Sequence, residues 1–220
     1  MKKKIYLFRH GQTVFNRDHK FTGWLDSKLT KQGVKDARIV AQKLKNKKFE
    51  VAFRSSTSRS KDTLKEILKF HPECKTIIVN DKMIERDYGS LSGMAHKELV
   101  KIKGTKIYNA LVKQKVIPKL KDFDKKYVVE QFGQGYRQMM RRCYHNPPPK
   151  GESVEMVEKR VKEFIKYLIK FMKREKVNVA ISAHGNSMRP FRKHFEKLSI
   201  NDMMRLENPW DDYFEYEVEV

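Results

Sequence analysis

The sequence predicts an α/β protein with three layers: a mostly parallel sheet between two layers of helices, with an antiparallel strand at one edge. Two observations predict this fold. Apolar runs typical of buried strands alternate along the chain with amphipathic helical patterns, which favours parallel strands joined by helices. The last eight residues, YFEYEVEV (213–220), alternate in polarity as an edge strand does.

The individual elements follow in chain order. Four apolar runs are predicted as strands ahead of the terminal one: residues 4–8, FEVAFRSS (49–56), KTIIVN (75–80) and VNVAISA (177–183). Three segments carry apolar residues at helical spacing: 30–47, 58–70 and 154–171. Ser199, with Asp202 three residues later, is typical of a helix start.

The composition indicates a globular chain. With 220 residues, 39% of them hydrophobic and 11% aromatic, the chain can form one domain with a real core and is not expected to be disordered. No apolar stretch is long enough to span a bilayer, and the N-terminal MKKKIYLFRHG becomes polar too early for a signal peptide. Only two cysteines, Cys74 and Cys143, are present, so we expect a cytoplasmic protein.

The net charge of +22 predicts anionic partners, which could be nucleic acid, a membrane surface or phosphorylated metabolites. A general excess of lysine would give the same charge, so charge alone leaves the partner open. Residues 90–150 interrupt the alternation of strands and helices and contain HNPPPKG (145–151). Ten lysines lie between Lys97 and Lys126, against three acidic residues. We predict that residues 90–150 form an insertion that caps one edge of the sheet.

Polar side chains follow the predicted strands where ligands bind in parallel sheets, beyond the carboxyl ends. Transfer of a phosphoryl group needs an in-line nucleophile, positive groups around the oxygens and a proton donor. His10, as a neutral imidazole, could be the nucleophile and form a covalent intermediate. Arg9 and Arg59 could hold the oxygens, His184 could donate to them, and Glu85 could act as acid and base.

Five segments stand out around these residues: LFRHGQTVFN (7–16), FTGWLDSKLT (21–30), RSSTSRS (54–60), IERDYGSLSG (84–93) and AHGNSMR (183–189). Together they resemble the histidine phosphatase superfamily, and within it the cofactor-dependent phosphoglycerate mutases. The resemblance covers roughly residues 4–99 and 130–210. It implies a phosphoglycerate mutase-like fold, formed by a single domain over residues 1–220 with a helical cap at about 90–150. It also implies 2,3-bisphosphoglycerate as the phosphoryl primer, and no metal.

The resemblance also implies roles for residues. His10 would be phosphorylated, Glu85 would exchange the proton, and Arg9, Arg59 and His184 would complete the phosphate pocket. Further positions match residues that contact substrate in the mutases: Thr13, Asn16, Thr22, Gly23, Tyr88 and Asn186. RRCYHNPPP (141–149) resembles a mutase segment whose arginines, here Arg141 and Arg142, hold the substrate carboxylate. His96 occupies the position of a substrate-binding lysine, with Lys97 beside it.

Three functions remain as hypotheses. The first is a mutase that interconverts 3-phosphoglycerate and 2-phosphoglycerate. The second is a phosphatase that shares the first half-reaction; His96 and the short link after Pro149 favour it. The third is a protein that binds nucleic acid or an acidic surface. We expect a small phosphorylated metabolite as the ligand, no specific nucleic acid and no membrane; the sequence leaves open whether the protein is a monomer or a homo-oligomer.

Overall fold

The computed structural model describes residues 1–220, and a five-stranded sheet forms its middle layer. The strands are β1 (Lys2–Arg9), β2 (Val51–Arg54), β3 (Thr76–Val79), β4 (Val179–Ala183) and β5 (Tyr213–Glu219). They lie side by side in the order β3-β2-β4-β1-β5. Strands β1 to β4 pair in parallel, and β5 pairs antiparallel with β1 at the edge. The predicted mostly parallel sheet with an antiparallel edge strand is therefore confirmed.

Eight helices surround the sheet: α1 (Val14–Arg17), α2 (Lys31–Leu44), α3 (Ser58–Leu68), α4 (His96–Lys113), α5 (Asp122–Arg142), α6 (Val154–Glu175), α7 (Gly185–Glu196) and α8 (Ile200–Arg205). The predicted helix start at Ser199 is confirmed, because its hydroxyl accepts the N–H of Asp202 at 3.1 Å. Helix α7 was not predicted, and Pro190 inside it argues against a helix because proline lacks an N–H donor. No helix combines the length and the apolar character that crossing a bilayer requires.

Alternating side chains of β1 build the two interfaces between sheet and helices. Ile5 and Leu7 join the larger apolar cluster, which contains the buried face of α6. Tyr6 and Phe8 point to the opposite face and join a second cluster with residues of α2 and α3. The sheet is thus covered on both faces, which confirms the three-layer α/β/α prediction.

Helices α4 and α5, here called the cap, lie within residues 90–150. They meet backbone to backbone: a Cβ built on Gly104 would lie 1.9 Å from the Val129 carbonyl oxygen, and one on Gly133 would lie 2.0 Å from that of Val100. A small apolar cluster joins the cap to the loops after the strands: Phe21, Tyr88, Leu91, Leu99 and Met140. The helical character of the cap agrees with the prediction.

Candidate active site

The carboxyl ends of neighbouring strands bring two histidines together. His10 follows β1 and His184 follows β4, and these strands are paired so that Arg9 lies opposite Ala183. The His10 N–H donates to the Ala183 carbonyl oxygen at 3.1 Å, and the two imidazole rings lie 5.0 Å apart between centroids. Gly11 is required beside His10, because a Cβ there would lie 2.0 Å from the Gly33 carbonyl oxygen.

His10 is buried, and its hydrogen bond shows which ring nitrogen keeps a free lone pair. Its Nδ1 lies 2.8 Å from the Gly11 carbonyl oxygen, which can only accept, so Nδ1 carries the proton and Nε2 keeps a free lone pair. Burial, followed by the positive charges of Arg59 and Arg9, lowers the pKa of His10 well below its usual value. The imidazole is therefore neutral at neutral pH, as a nucleophile must be.

Arg59 begins α3 after β2 and is completely buried. Its guanidinium donates at 2.9 Å to the carbonyl oxygens of Leu25 and Gly23, and its Nε donates at 3.3 Å to Nδ1 of His184. An arginine has five N–H donors, so two remain for a ligand. The protein thus fixes the guanidinium before any ligand arrives.

His184 is held through both ring nitrogens. Because Nδ1 accepts from Arg59, Nε2 carries the proton and donates to the Ser55 hydroxyl at 2.7 Å. Burial, then the charge of Arg59, lowers the pKa of His184 well below its usual value, so the ring is neutral. The serine contact was not predicted, although Ser55 lies in the RSSTSRS segment. A ligand oxygen would have to replace this contact to accept from His184.

Arg9 has a buried N–H without a protein partner. One terminal nitrogen donates to the Asn208 carbonyl oxygen at 3.1 Å, and the guanidinium carbon lies 5.0 Å from the ring centre of Trp210. Its Nε is buried and makes no hydrogen bond. Buried donors are normally satisfied, so this atom is suited to an anionic ligand. Neither Asn208 nor Trp210 was predicted, because both belong to a loop near the C-terminus.

Glu85 is 7% exposed and is fixed by several donors. Its Oε1 accepts the N–H groups of Arg86 and Asn186, at 2.7 and 3.1 Å. Its carbonyl oxygen accepts from Trp24 Nε1 at 2.9 Å and from Arg160 at 3.0 Å. Oε2 makes no hydrogen bond within the protein and is available to exchange a proton.

We call Arg9, His10, Arg59, Glu85 and His184 the phosphate pocket. Three of them bring one potential metal-ligand atom each within 4.8 Å of one another: His10, Glu85 and His184. The two arginines beside them oppose a metal cation and favour an anion. The arrangement can therefore attack and surround a phosphoryl group and protonate the leaving oxygen, which is the chemistry predicted from these residues.

An adjoining cavity of about 100 Å³ is lined almost entirely by polar groups. Its lining residues are Arg9, Glu85, Tyr88, Arg141, Arg142, Gly185, Asn186, Arg189, Glu207 and Asn208. We call it the arginine cavity. It brings together four of the predicted substrate residues, and Asn186 donates to the Tyr88 hydroxyl at 3.4 Å. Arg189 and Glu207 were not predicted.

The two adjacent arginines at the end of α5 differ in their contacts. Arg142 donates to the Glu207 carboxylate at 2.7 Å and to the Met204 carbonyl oxygen at 2.9 Å. The guanidinium of Arg141 makes no hydrogen bond, although the backbone carbonyl of this residue accepts from Arg86 at 3.3 Å. Arg141 is thus free to bind an anion, whereas Arg142 is already paired with a carboxylate.

The remaining predicted residues lie outside the arginine cavity. Thr13 caps α1, and its hydroxyl donates to the Asn16 side-chain oxygen at 3.0 Å. Thr22 is buried beside Gly23, whose carbonyl oxygen orients Arg59. The ring of His96 lies 4.5 Å from that of Phe21, and burial, then Arg141 and Arg137, lowers the pKa of His96 to about 4. His96 and its neighbour Lys97 face a separate groove in the cap.

Comparison with known proteins gives a consistent result. A family model described as the histidine phosphatase superfamily (branch 1) matches residues 5–114 and 119–213. The 2,3-bisphosphoglycerate-dependent phosphoglycerate mutase of Pseudoalteromonas atlantica is 32% identical over 197 residues, which cover 89% of this chain and 85% of the relative.

Solved structures share the fold at lower identity. A mycobacterial glucosyl-3-phosphoglycerate phosphatase aligns with a TM-score of 0.71 at 19% identity, covering 99% of this chain and 91% of that one. A phosphoglycerate mutase from Bacillus anthracis aligns with a TM-score of 0.65 at 21% identity, covering 97% and 91%. At these identities the two structures support the fold and do not distinguish between the two activities.

Proposed function

The chain belongs to the histidine phosphatase superfamily, and we propose that it is a cytoplasmic 2,3-bisphosphoglycerate-dependent phosphoglycerate mutase of glycolysis and gluconeogenesis. One observation carries the proposal: an arginine-lined cavity adjoins the phosphate pocket, with Glu85 and Arg9 common to both. A phosphoglycerate needs a site for its carboxylate in addition to one for its phosphate. The names of the relatives, such as the 32% identical mutase, support the same assignment.

In the proposed priming step, Nε2 of His10 attacks a phosphorus atom of 2,3-bisphosphoglycerate. The N–P bond forms as the P–O bond to the glycerate breaks, and protonated Glu85 gives its proton to the leaving oxygen. In the forward step, ionised Glu85 removes the proton from the hydroxyl of 3-phosphoglycerate. That oxygen attacks the phosphohistidine, and the N–P bond breaks. Return of the other phosphate to His10 releases 2-phosphoglycerate.

The fixed cations of the phosphate pocket would stabilise the transferring group. Arg59 is held by two carbonyl oxygens, and Arg9 by one carbonyl oxygen and the Trp210 ring, so neither needs to reorganise during the reaction. His184 would donate to a phosphoryl oxygen in place of Ser55. The cap would exclude water, which otherwise hydrolyses the phosphohistidine.

Arg141 is the proposed anchor of the substrate carboxylate. It lines the arginine cavity and its guanidinium has no partner within the protein. Arg142 can add a second contact through its remaining N–H donors, although its charge is already partly balanced by Glu207, whose carboxylate it binds at 2.7 Å. Thr13, Asn16, Thr22 and Gly23 remain proposed substrate contacts on the resemblance alone.

Phosphorus NMR of the products tests the proposal. We expect purified protein, given 3-phosphoglycerate and a trace of 2,3-bisphosphoglycerate, to form 2-phosphoglycerate without inorganic phosphate. His10→Ala should abolish the reaction, whereas the control His145→Ala, at an exposed histidine, should retain it. Mutase activity in the His10→Ala variant would refute the phosphohistidine mechanism.

A phosphatase is the second candidate, and one observation favours it. His96 and Lys97, at the position of the mutase lysine, face the separate groove in the cap and leave the arginine cavity without a lysine. In that case water would take the phosphoryl group from His10. Inorganic phosphate as the main product of the same NMR experiment would establish this function in place of the mutase.

A further inference from the structure

A second and larger depression lies in the cap, away from the phosphate pocket. We call it the cap groove; it has a volume of about 940 Å³ and is formed by α4, α5 and one residue of the loop after α1. Its lining residues are His19, His96, Lys97, Val100, Lys101, Thr105, Asp122, Lys125, Lys126, Val129, Glu130, Gln134 and Arg137. Pockets that bind metabolites fall in this size range. The cap groove and the arginine cavity share no lining residue.

Glycines determine the shape of the cap groove. Gly104 and Gly133 bring the backbones of α4 and α5 into contact beside Val129 and Val100, which lie in the groove wall. Side chains larger than hydrogen at the two glycines would separate the helices, because the built Cβ atoms lie within 2.0 Å of backbone oxygens. The close crossing leaves the long side chains of both helices to form the rim of a defined recess.

The charge of the cap groove is strongly positive and is not neutralised by the protein. Five permanent cations line it against two acids, Asp122 and Glu130. None of these seven groups takes part in an ion pair, and Arg142 is the only residue of α4 and α5 that does. Gathered cations without counter-ions repel one another and concentrate anions around them. A general lysine excess explains the number of these charges but not their convergence on one recess.

The wall of the cap groove also contains buried polar atoms without partners. The Nε of Arg137 and the Oε1 of Gln134 are both buried and make no hydrogen bond within the protein. Nearly all such atoms in folded proteins are satisfied by protein, water or ligand. A phosphate oxygen can accept from Arg137, and a hydroxyl can donate to Gln134.

The cap groove adjoins the arginine cavity without merging with it. Arg137 in the groove and Arg141 in the cavity are four residues apart on α5 and therefore lie on the same face of that helix. His96 is neutral at physiological pH and adds no charge to the groove. The lysines and Arg137 therefore determine which ligand the groove accepts.

We propose that the cap groove is a second binding site, for an anion that carries two or more phosphate groups. Lys97, Lys101, Lys125 and Lys126 pair with the outer phosphates, and Arg137 binds the innermost one. The site does not use His10, and it does not depend on which reaction the phosphate pocket performs. It gives the lysine-rich part of the cap a function that the phosphate pocket does not require.

Calorimetric titration with inorganic triphosphate, at about 0.15 M salt and without divalent cations, tests the proposal. The groove variant combines Lys101→Gln, Lys125→Gln and Lys126→Gln. The control variant combines Lys113→Gln, Lys119→Gln and Lys121→Gln, which remove the same charge from exposed positions in or next to the cap helices that do not line the groove. With saturating 3-phosphoglycerate present to occupy the phosphate pocket and the arginine cavity, we expect one bound triphosphate in wild type and control, and affinity at least about tenfold lower in the groove variant.

The same titration shows whether the triphosphate binds in the cap groove or in the phosphate pocket. His10→Ala should bind triphosphate with unchanged affinity, and saturating 3-phosphoglycerate should not displace it. An equal loss of affinity in the two triple variants would show a diffuse effect of charge and overturn the proposal. Displacement by 3-phosphoglycerate, or loss of binding in His10→Ala, would place the triphosphate at the phosphate pocket and overturn it as well. None of these results depends on whether the enzyme is a mutase or a phosphatase.

Discussion

The phosphate pocket and the cap both gather positive charge, but they hold it in opposite ways. Arg59 is fully buried and three of its donors bind protein acceptors, so its position is fixed before a ligand arrives. Lys101, Lys125 and Lys126 are exposed and have no ion pair. Fixed donors suit the stabilisation of a transition state, whereas exposed lysines on long side chains suit the capture of anions of varied shape. The two regions should therefore respond differently to small changes in side chain.

The largest expected effect is that of Arg59→Lys. Lysine keeps the charge but cannot reach the carbonyl oxygens of Leu25 and Gly23 and the His184 ring at once, so the preorganised arrangement is lost. We expect kcat to fall about 10²-fold or more. Steady-state kinetics measures this fall in kcat. Arg38→Lys is the control, because Arg38 is exposed and pairs with Glu66. Near wild-type kcat in Arg59→Lys would show that charge alone is sufficient in the phosphate pocket.

In the cap, stability depends on the close packing of α4 against α5, and Gly104→Ala tests this packing. The new methyl group would overlap the Val129 carbonyl oxygen, so α4 and α5 must separate, and we expect a loss of about 1–3 kcal/mol in the free energy of unfolding. Chemical denaturation measures it. Gly135→Ala is the matched control, because nothing lies within 4 Å of its Cβ. It should stabilise the protein by about 0.5–1 kcal/mol through higher helix propensity. Equal effects of the two changes would exclude the close helix crossing.

The comparison also explains what the sequence could predict. His10, Arg59, Glu85 and His184 each follow a strand that apolar runs predict, and parallel strands bring such residues to one edge. The partners of Arg9 were not predictable in the same way. Asn208 lies 199 residues away, and its contact depends on how the C-terminal loop returns to the sheet.

The close contact between α4 and α5 in the cap and the helix α7 were not predicted, for different reasons. The contact of Gly104 with α5 depends on the crossing of two helices, which no local pattern encodes. Helix α7 contains Pro190, which lowers its helical preference, and it is held by packing of the buried Met188 and Phe191 instead. Tertiary contacts therefore determine the crossing of α4 and α5 and the helix α7, and local sequence patterns do not.

The buried histidines make the phosphate pocket sensitive to acid. The pKa values of His10 and His184 are lowered in the folded state, so the unfolded chain binds protons more readily as pH falls below about 6.5. Stability is therefore fully retained above that pH and declines below it, by up to about 1.4 kcal/mol per pH unit for each histidine. Thermal unfolding of wild type and His184→Asn between about pH 8 and pH 5 measures this. The variant should show the shallower decline, and parallel curves would contradict it.

The smallest expected effect lies where the cap meets the arginine cavity. The Glu207 carboxylate forms an ion pair with Arg142 at 2.7 Å and lies 4.0 Å from Arg189, although its side chain is 77% exposed. An anionic substrate must therefore compete with this carboxylate for the arginines. Glu207→Gln weakens this competitor because a neutral amide binds arginine less strongly. We expect KM to fall severalfold with kcat unchanged, since exposed ion pairs contribute only about 0.2–1 kcal/mol. Glu175→Gln removes the same charge at a distant surface pair with Arg174 and should leave KM unchanged. If both variants lower KM equally, general charge accounts for the effect; if only Glu207→Gln does, the cavity contains its own competing anion.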